Sequence, residues 1–269
     1  MDTKILLVGC GKMGGALLGG WLDQGIEGAS VHAIEPFQDH AGPFINQGVS
    51  FHNSLDELAS DFEPDFVLFA IKPQMADDVV PAYAQFAGSA TFISIAAGKT
   101  IAYFENNLGS EAAIIRTMPN TPAAVRRGIT IACGNAKVSE AAQATCLELL
   151  KAVGEASWVD DEGLIDAVTA VSGSGPAYVF LLAETMAQAG IEAGLSPEIA
   201  TQLAVHTVAG SGELLVQSDE DAAKLRKNVS SPGGTTEAAL SVLMGENGIQ
   251  ELMSRAVAKA VERSKELAG

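Results

Sequence analysis

Basic residues and cysteines are scarce in this 269-residue sequence. It has 16 Lys and Arg against 33 Asp and Glu, and a net charge of −17 argues against a nucleic-acid binder because phosphate contacts need a basic face. Three scattered cysteines are too few for a disulfide framework or a cysteine metal cluster. Since His32, His40 and His52 also lack the spacing of metal ligands, the sequence predicts no metal site.

Long apolar runs are missing as well. No stretch approaches the ~18 uninterrupted apolar residues of a membrane span, and the N-terminal run Ile5–Val8 is too short for a signal peptide. A hydrophobic content of 48% is nevertheless enough for a folded core. We therefore expect a soluble, cytoplasmic protein without a membrane partner. Any anionic ligand would have to be bound by local groups rather than by a basic surface, because the protein as a whole is negatively charged.

A change of pattern near residue 160 predicts two domains, 1–160 and 161–269. In the first, short apolar runs alternate with helical segments, which predicts a doubly wound, mostly parallel sheet. The predicted strands are Ile5–Val8, Val31–Ile34, Phe66–Ile71, Thr91–Ile95, Ala113–Thr117 and Ile129–Ala132. In the second domain strand-like runs vanish, so we expect only helices.

Capping residues indicate where the helices of the second domain begin. Helices are expected from Ser174, from Ser196, after the Pro232 segment and over 249–267. The stretch 177–189 is apolar nearly all round, so we expect it to be buried between subunits, with a crowded helix inside one subunit as the alternative. The second domain is thus predicted to be an all-α dimerisation domain.

A glycine-rich turn after the first predicted strand indicates a dinucleotide site. It has the GxGxxG pattern and opens a predicted helix over 15–22, as in a Rossmann-type domain. There the first glycine permits a tight turn, the second lets the backbone approach a pyrophosphate, and the third lets the helix pack on the sheet. The candidate residues of the turn are Gly9, Gly11, Lys12, Met13 and Gly14.

Two charged residues follow later predicted strands. Glu35 ends the second strand, where a carboxylate would bind ribose hydroxyls and repel a 2′-phosphate, which favours NADH over NADPH; a water-facing acid is the alternative. Lys72 follows the third strand between Ile71 and Pro73 and would contact phosphate or ribose, with a solvated lysine as the alternative.

Three further segments rich in glycine and hydroxyl groups carry a family resemblance. They are Met118–Pro122, Val171–Tyr178 and Ser230–Glu237. Together with the glycine turn and Ser94–Gly98, in order and over essentially the whole chain, they closely resemble pyrroline-5-carboxylate reductase. The resemblance implies an oxidoreductase that uses NADPH or NADH to reduce 1-pyrroline-5-carboxylate to proline, the last step of proline biosynthesis.

The chemistry of imine reduction fits these segments. A protonated imine is already electrophilic, so a hydroxyl that orients the ring nitrogen is sufficient, and the resemblance places that hydroxyl on Thr236. Backbone amides of 231–235 before a helix would hold the substrate carboxylate, with a bare helix cap as the alternative. The candidate substrate-binding residues are Glu162, Ser231, Gly233, Gly234, Thr235 and Thr236. The resemblance adds the cofactor-binding candidates Asn53, Ala70, Lys72, Pro73, Ala96, Ala97, Asn120 and Asn228.

Family resemblance also implies a homodimer, often assembled into rings, with the active site between the N-terminal domain of one subunit and the helical domain of its partner. NADPH-preferring members carry a small or basic residue where this chain has Glu35, so the cofactor preference stays open. A 3-hydroxyacid dehydrogenase of the 6-phosphogluconate type is an alternative, but Ser172–Gly190 lacks the lysine it would require. A non-catalytic dinucleotide sensor is a second alternative function. Such a protein would not need the segment Ser231–Thr236, so the presence of this segment counts against it.

Overall fold

The structure is a computed structural model that describes residues 3–38 and 41–268; His40 lies outside them. Within these residues eight strands form one sheet in the order β3-β2-β1-β4-β5-β6-β7-β8. The strands are β1 (Ile5–Val8), β2 (Val31–Ile34), β3 (Ser50–His52), β4 (Phe66–Phe69), β5 (Thr91–Ser94), β6 (Ala113–Met118), β7 (Gly128–Gly134) and β8 (Gly154–Trp158). Every neighbouring pair is parallel except β6 and β7. The predicted doubly wound, mostly parallel sheet is confirmed.

Helices surround this sheet and fill the C-terminal part of the chain. They are α1 (Lys12–Asp23), α2 (Gly42–Ile45), α3 (Ala76–Val79), α4 (Ile101–Leu108), α5 (Glu140–Lys151), α6 (Ile165–Val168), α7 (Gly175–Glu192), α8 (Pro197–Gln217), α9 (Ala222–Asn228), α10 (Thr235–Leu243) and α11 (Ile249–Ala268). A π-helical turn, Thr169–Gly173, joins α6 to the segment before α7.

Burial on both faces explains the uniformly apolar central strands. All four residues of β1 are at most 2% exposed, and those of β4 are at most 5% exposed. On one face the core includes Leu17 and Trp21 of α1, and on the other it includes Phe104 of α4. Because helices cover both faces of the sheet, the sequences of the central strands do not alternate between apolar and polar residues.

Several predicted boundaries were wrong. The helix expected from Gly15 starts at Lys12, because the extended Gly11 is its N-cap. The third predicted strand ends at Phe69 rather than Ile71. Strands β3 and β8 were not predicted, because both lie at sheet edges and have mixed rather than continuously apolar sequences.

The chain divides into two compact units, Met1–Gly173 with Val261–Gly269, and Ser174–Ala260. The boundary at 160 remains a prediction. In the second unit α7 and α8 pack together, with Gly190 against Ala200. None of the residues of α7 is buried, and its exposed apolar side chains are Val179, Phe180, Leu181, Leu182 and Met186. Within the part of the chain that the structure describes, one helical stretch, Glu162–Glu192, is long and apolar enough to cross a membrane by length and composition alone, and 11% of its most apolar part is buried.

Candidate active site

A cleft opens where the winding of the sheet changes direction. Strand β1 pairs with β2 on one side and β4 on the other, and such a switch point leaves a crevice at the carboxyl ends of the strands. The cleft measures about 450 Å³. Among the candidates it is lined by Gly9, Gly11, Glu35, Asn53, Ala70 and Lys72. Its lining also includes residues that the sequence did not single out, among them Pro36, Phe37, Ser54, Leu55, Met75 and Asp78.

Each glycine of the turn has its own structural role. Gly9 has φ of +91°, and a Cβ there would lie 2.8 Å from the Ala70 carbonyl oxygen. A Cβ on Gly14 would collide with the Gly9 carbonyl and lie 3.2 Å from the Ala70 Cβ, so helix and strand pack closely here. A Cβ on Gly11 would have nothing within 4 Å, which leaves room for a ligand to approach the backbone there.

The remaining two residues of the turn do not line the cleft. Lys12 is exposed, and Met13 packs against the core on the side of α1. Their backbone amides lie in the first turn of the helix, where no intrahelical acceptor is available and where the helix dipole favours an anion. Lys12 and Met13 are thus candidates through their amides rather than through their side chains.

Glu35 holds the glycine turn at the end of β2. Its Oε2 accepts a hydrogen bond from the Cys10 amide at 2.8 Å, and its Oε1 accepts one from the Phe37 amide at 2.9 Å. Burial, and after it the Glu35 carboxylate, raise the pKa of the Cys10 thiol to about 11, so this thiol is protonated and unreactive at neutral pH. The half-buried carboxylate thus lines the cleft beside the glycine turn.

Asn53 is oriented by its neighbours at the rim of the cleft. Its amide donates to Glu57 Oε2 at 2.7 Å, its Nδ2 donates to Glu57 Oε1 at 3.0 Å, and its Oδ1 accepts from Gln38 at 3.2 Å. The Asn53 amide, followed by its side chain, lowers the pKa of the Glu57 carboxyl. On the other side, exposed Lys72 precedes the turn that starts at Pro73.

The other candidates of the first unit lie outside the lining of this cleft. The Ala96 amide donates to Ser94 Oγ at 3.1 Å, while Ala97 is exposed. Asn120 Oδ1 accepts from the Ile129 amide at 2.9 Å, so its side chain braces the start of β7. Glu162 Oε1 accepts from Arg116 Nη1 at 2.7 Å. Ala96 and Ala97 follow the carboxyl end of β5, and Asn120 follows that of β6. Glu162 lies in the connection after β8.

In the second unit, a tight loop precedes α10. Gly233 has φ of +69°, and its amide donates to Glu237 Oε2 at 2.7 Å, so this loop already binds a carboxylate. The Gly234 amide donates to the Ser231 carbonyl at 3.0 Å. Because the first amides of a helix have no intrahelical acceptor, those of Thr235 and Thr236 are available for an anion. The Gly233 and Gly234 amides, in contrast, already have acceptors within the loop.

Asn228 ends α9, shortly before this loop. Its Nδ2 donates to Glu220 Oε2 at 2.6 Å, which fixes the amide group. In the described part of the chain, no group of three or more His, Cys, Asp and Glu residues is arranged to hold a metal ion. The neighbouring rings of His32 and His52 instead share a hydrogen bond of 2.9 Å.

Known proteins resemble the chain along its whole length. The family model described as pyrroline-5-carboxylate reductase dimerisation matches residues 162–267, and one described as NADP oxidoreductase, coenzyme F420-dependent, matches residues 4–98. Pyrroline-5-carboxylate reductase of Pseudomonas aeruginosa is 40% identical over 98% of this chain and 97% of that protein. The Escherichia coli protein of that name is 35% identical over 99% of each chain.

Solved structures give the same result. A pyrroline-5-carboxylate reductase of Coxiella burnetii superposes with a TM-score of 0.93 at 32% identity, covering 100% of both chains. Pyrroline carboxylate reductase of Plasmodium falciparum, with NADP bound, superposes with a TM-score of 0.82 at 32% identity, covering 99% of this chain and 98% of that one.

Proposed function

The chain belongs to the pyrroline-5-carboxylate reductase family, and we propose that it reduces 1-pyrroline-5-carboxylate to proline with NAD(P)H as hydride donor. The observation that carries this function is the similarity to curated reductases over both units of the chain, not over the cofactor-binding unit alone. The cleft at the switch point of the sheet supports it, because Gly11 there leaves space for a pyrophosphate.

For the cofactor, we assign binding residues in the first unit. The amides after Gly11 hold the pyrophosphate at the start of α1, while Glu35 and Asn53 lie at the adenosine end of the cleft. When bound, the nicotinamide supplies the hydride. The protein must orient the nicotinamide ring, and we assign this role to the segments after β5 and β6, which include Ala96 and Asn120.

For the substrate, we assign the loop before α10. The amides of Thr235 and Thr236 bind the carboxylate, and the hydrogen bond that the neighbouring Gly233 amide donates to the Glu237 carboxylate supports this assignment. The Thr236 hydroxyl holds the ring nitrogen, where the proton of the product amine resides. Asn228, fixed by Glu220, lies close in sequence to support the loop.

Glu35 leads us to propose NADH as the preferred cofactor. Each of its oxygens accepts one backbone amide and retains capacity for a ribose hydroxyl. A 2′-phosphate on the same ribose would meet this carboxylate. Lys72 is the one basic side chain in the cleft lining of the described chain, and it follows β4 rather than β2.

We propose a homodimer that is further assembled into rings, located in the cytoplasm. The dimerisation-family match covers the helices that present exposed apolar side chains, including Phe180 at 67% exposed. A partner subunit would cover this surface, which also explains the apolar stretch Glu162–Glu192 without a membrane. Light scattering coupled to size exclusion tests the assembly, since a monomer at micromolar concentration contradicts it.

The catalytic assignment is tested by replacing Thr236 with valine, which keeps the shape and removes the hydroxyl. We expect kcat to fall about 100-fold, the usual contribution of a group that handles a proton in the transition state, with the KM for NADH nearly unchanged. Thr145→Val on α5 is the matched control and should keep full activity. Equal activity of the two variants would remove Thr236 from the mechanism.

A further inference from the structure

Arg116 is the one charged residue that is buried among those the structure describes. It lies on β6, two residues before the strand ends at Met118, and its side chain is 7% exposed. A buried cation is costly unless it is paired. Its partner is Glu162, whose Oε1 accepts a hydrogen bond from Arg116 Nη1 at 2.7 Å across 46 residues of sequence.

The same carboxylate oxygen fixes the start of a helix. Glu162 Oε1 also accepts a hydrogen bond from the Ile101 amide, the first of α4, at 2.9 Å. This amide has no acceptor within the helix, and an acidic group at a helix N-terminus is favoured by the dipole. The Tyr103 amide in the same turn donates to Thr100 Oγ1 at 3.1 Å. Arg116 thus holds, through Glu162, the position at which α4 begins.

The loop before α4 is anchored at its other end by a second buried polar group. Ser94 Oγ accepts from the Ala96 amide at 3.1 Å, and the Thr117 hydroxyl donates to the Ser94 carbonyl at 2.9 Å. Both Ser94 and Thr117 are 2% exposed. The loop 96–100 is therefore held at one end by Ser94, which accepts from Thr117 of β6, and at the other by Glu162, which is paired with the adjacent residue of β6, Arg116.

We propose that Arg116 is a positioning residue for hydride transfer: through Glu162 it fixes the start of α4 and with it the 96–100 loop against which the nicotinamide lies. The inference rests on the proposed function, which assigns that loop to the nicotinamide. In this proposal Arg116 makes no contact with substrate or cofactor. It acts by keeping the reacting atoms in register, where an error of about 1 Å lowers the rate about 100-fold.

The test compares Arg116→Met, Arg116→Lys and the double variant Arg116→Met/Glu162→Gln. The double variant removes both charges while leaving an oxygen for the Ile101 amide, so it guards against failure of the single variant to fold. We expect Arg116→Met to lower kcat about 100-fold with the KM for NADH within threefold of wild type, because the cleft that binds the adenosine half is intact. Arg116→Lys restores the cation, so its kcat should be at least tenfold higher than that of Arg116→Met. The kcat of the double variant should also exceed that of Arg116→Met.

A readout independent of turnover is hydrogen exchange at the start of α4. The Ile101 amide should exchange at least tenfold faster in Arg116→Met than in wild type. Lys151→Met is the control: it breaks a 2.7 Å ion pair with Glu148 on the surface of α5 and should change neither kcat nor exchange at Ile101. Wild-type kcat or unchanged exchange in Arg116→Met would overturn the positioning role alone. Absence of turnover by the wild-type enzyme would instead refute the proposed function.

Discussion

Replacing Glu35 with serine should reverse the cofactor preference. In the folded protein the Glu35 carboxylate is half-buried in the cleft, with one backbone amide on each oxygen. Two unit charges about 4 Å apart interact by ~1 kcal/mol in water and ~4 kcal/mol at an effective dielectric of 20. For a half-buried group we take about 2 kcal/mol, so removing the carboxylate should improve kcat/KM for NADPH about 30-fold.

The same substitution should lower the efficiency of the enzyme with NADH. A hydrogen bond from a ribose hydroxyl to a charged acceptor contributes about 1.5 kcal/mol or more, so kcat/KM for NADH should fall about tenfold. The ratio of the two efficiencies should therefore shift about 300-fold towards NADPH, the product of these two factors. Initial rates of cofactor oxidation at saturating substrate measure both values.

The control for this experiment is Asp78→Asn. It removes the same charge from the same cleft, but on α3 rather than at the end of β2. We expect it to change the ratio less than threefold, because Asp78 is exposed and its charge is screened by solvent and salt more strongly than that of half-buried Glu35. A tenfold preference of the wild-type enzyme for NADPH, or equal ratios in the two variants, would refute the reasoning.

Three further predictions concern stability and the substrate loop. Trp21→Phe should lower the free energy of unfolding in urea by about 2–4 kcal/mol, because Trp21 is fully buried and its Nε1 donates to the Leu149 carbonyl at 2.8 Å; a loss below 1 kcal/mol would contradict this. Burial lowers the pKa of His32 below 6.5, so the unfolded chain binds its proton more readily and the melting temperature should fall as the pH drops below 6.5; His32→Gln should flatten this dependence, and an unchanged slope would speak against it. Glu237→Gln should lower the KM for 1-pyrroline-5-carboxylate about fivefold, since a repelling charge beside the Gly233 amide is removed, and a higher KM would contradict this.

The elements that were predicted best from the sequence are those buried in the interior of the fold. Strand β1 was predicted to the residue, because a central parallel strand is continuously apolar. Strand β2 was also predicted to the residue, although His32 interrupts its apolar run. The glycine turn was equally readable, since Gly9 and Gly14 each exclude a side chain on steric grounds. The edge strands β3 and β8 were missed because one of their sides lacks a neighbouring strand and leaves no such pattern.

Contacts between distant segments could not be read from the sequence. Arg116 and Glu162 each look like an ordinary charged residue, and only the folded sheet brings them together. The same holds for Ser54 and Leu55, which line the cleft because β3 ends there. That the Gly233 amide is taken up by Glu237 depends on loop geometry at the level of a single hydrogen bond, which residue types do not determine.

The most direct test of the account is the oxidation of NADH by the purified protein in the presence of 1-pyrroline-5-carboxylate, with proline quantified as the product. The account predicts that one proline forms for each NADH consumed, with a higher kcat/KM for NADH than for NADPH. No proline formation with either cofactor would contradict it.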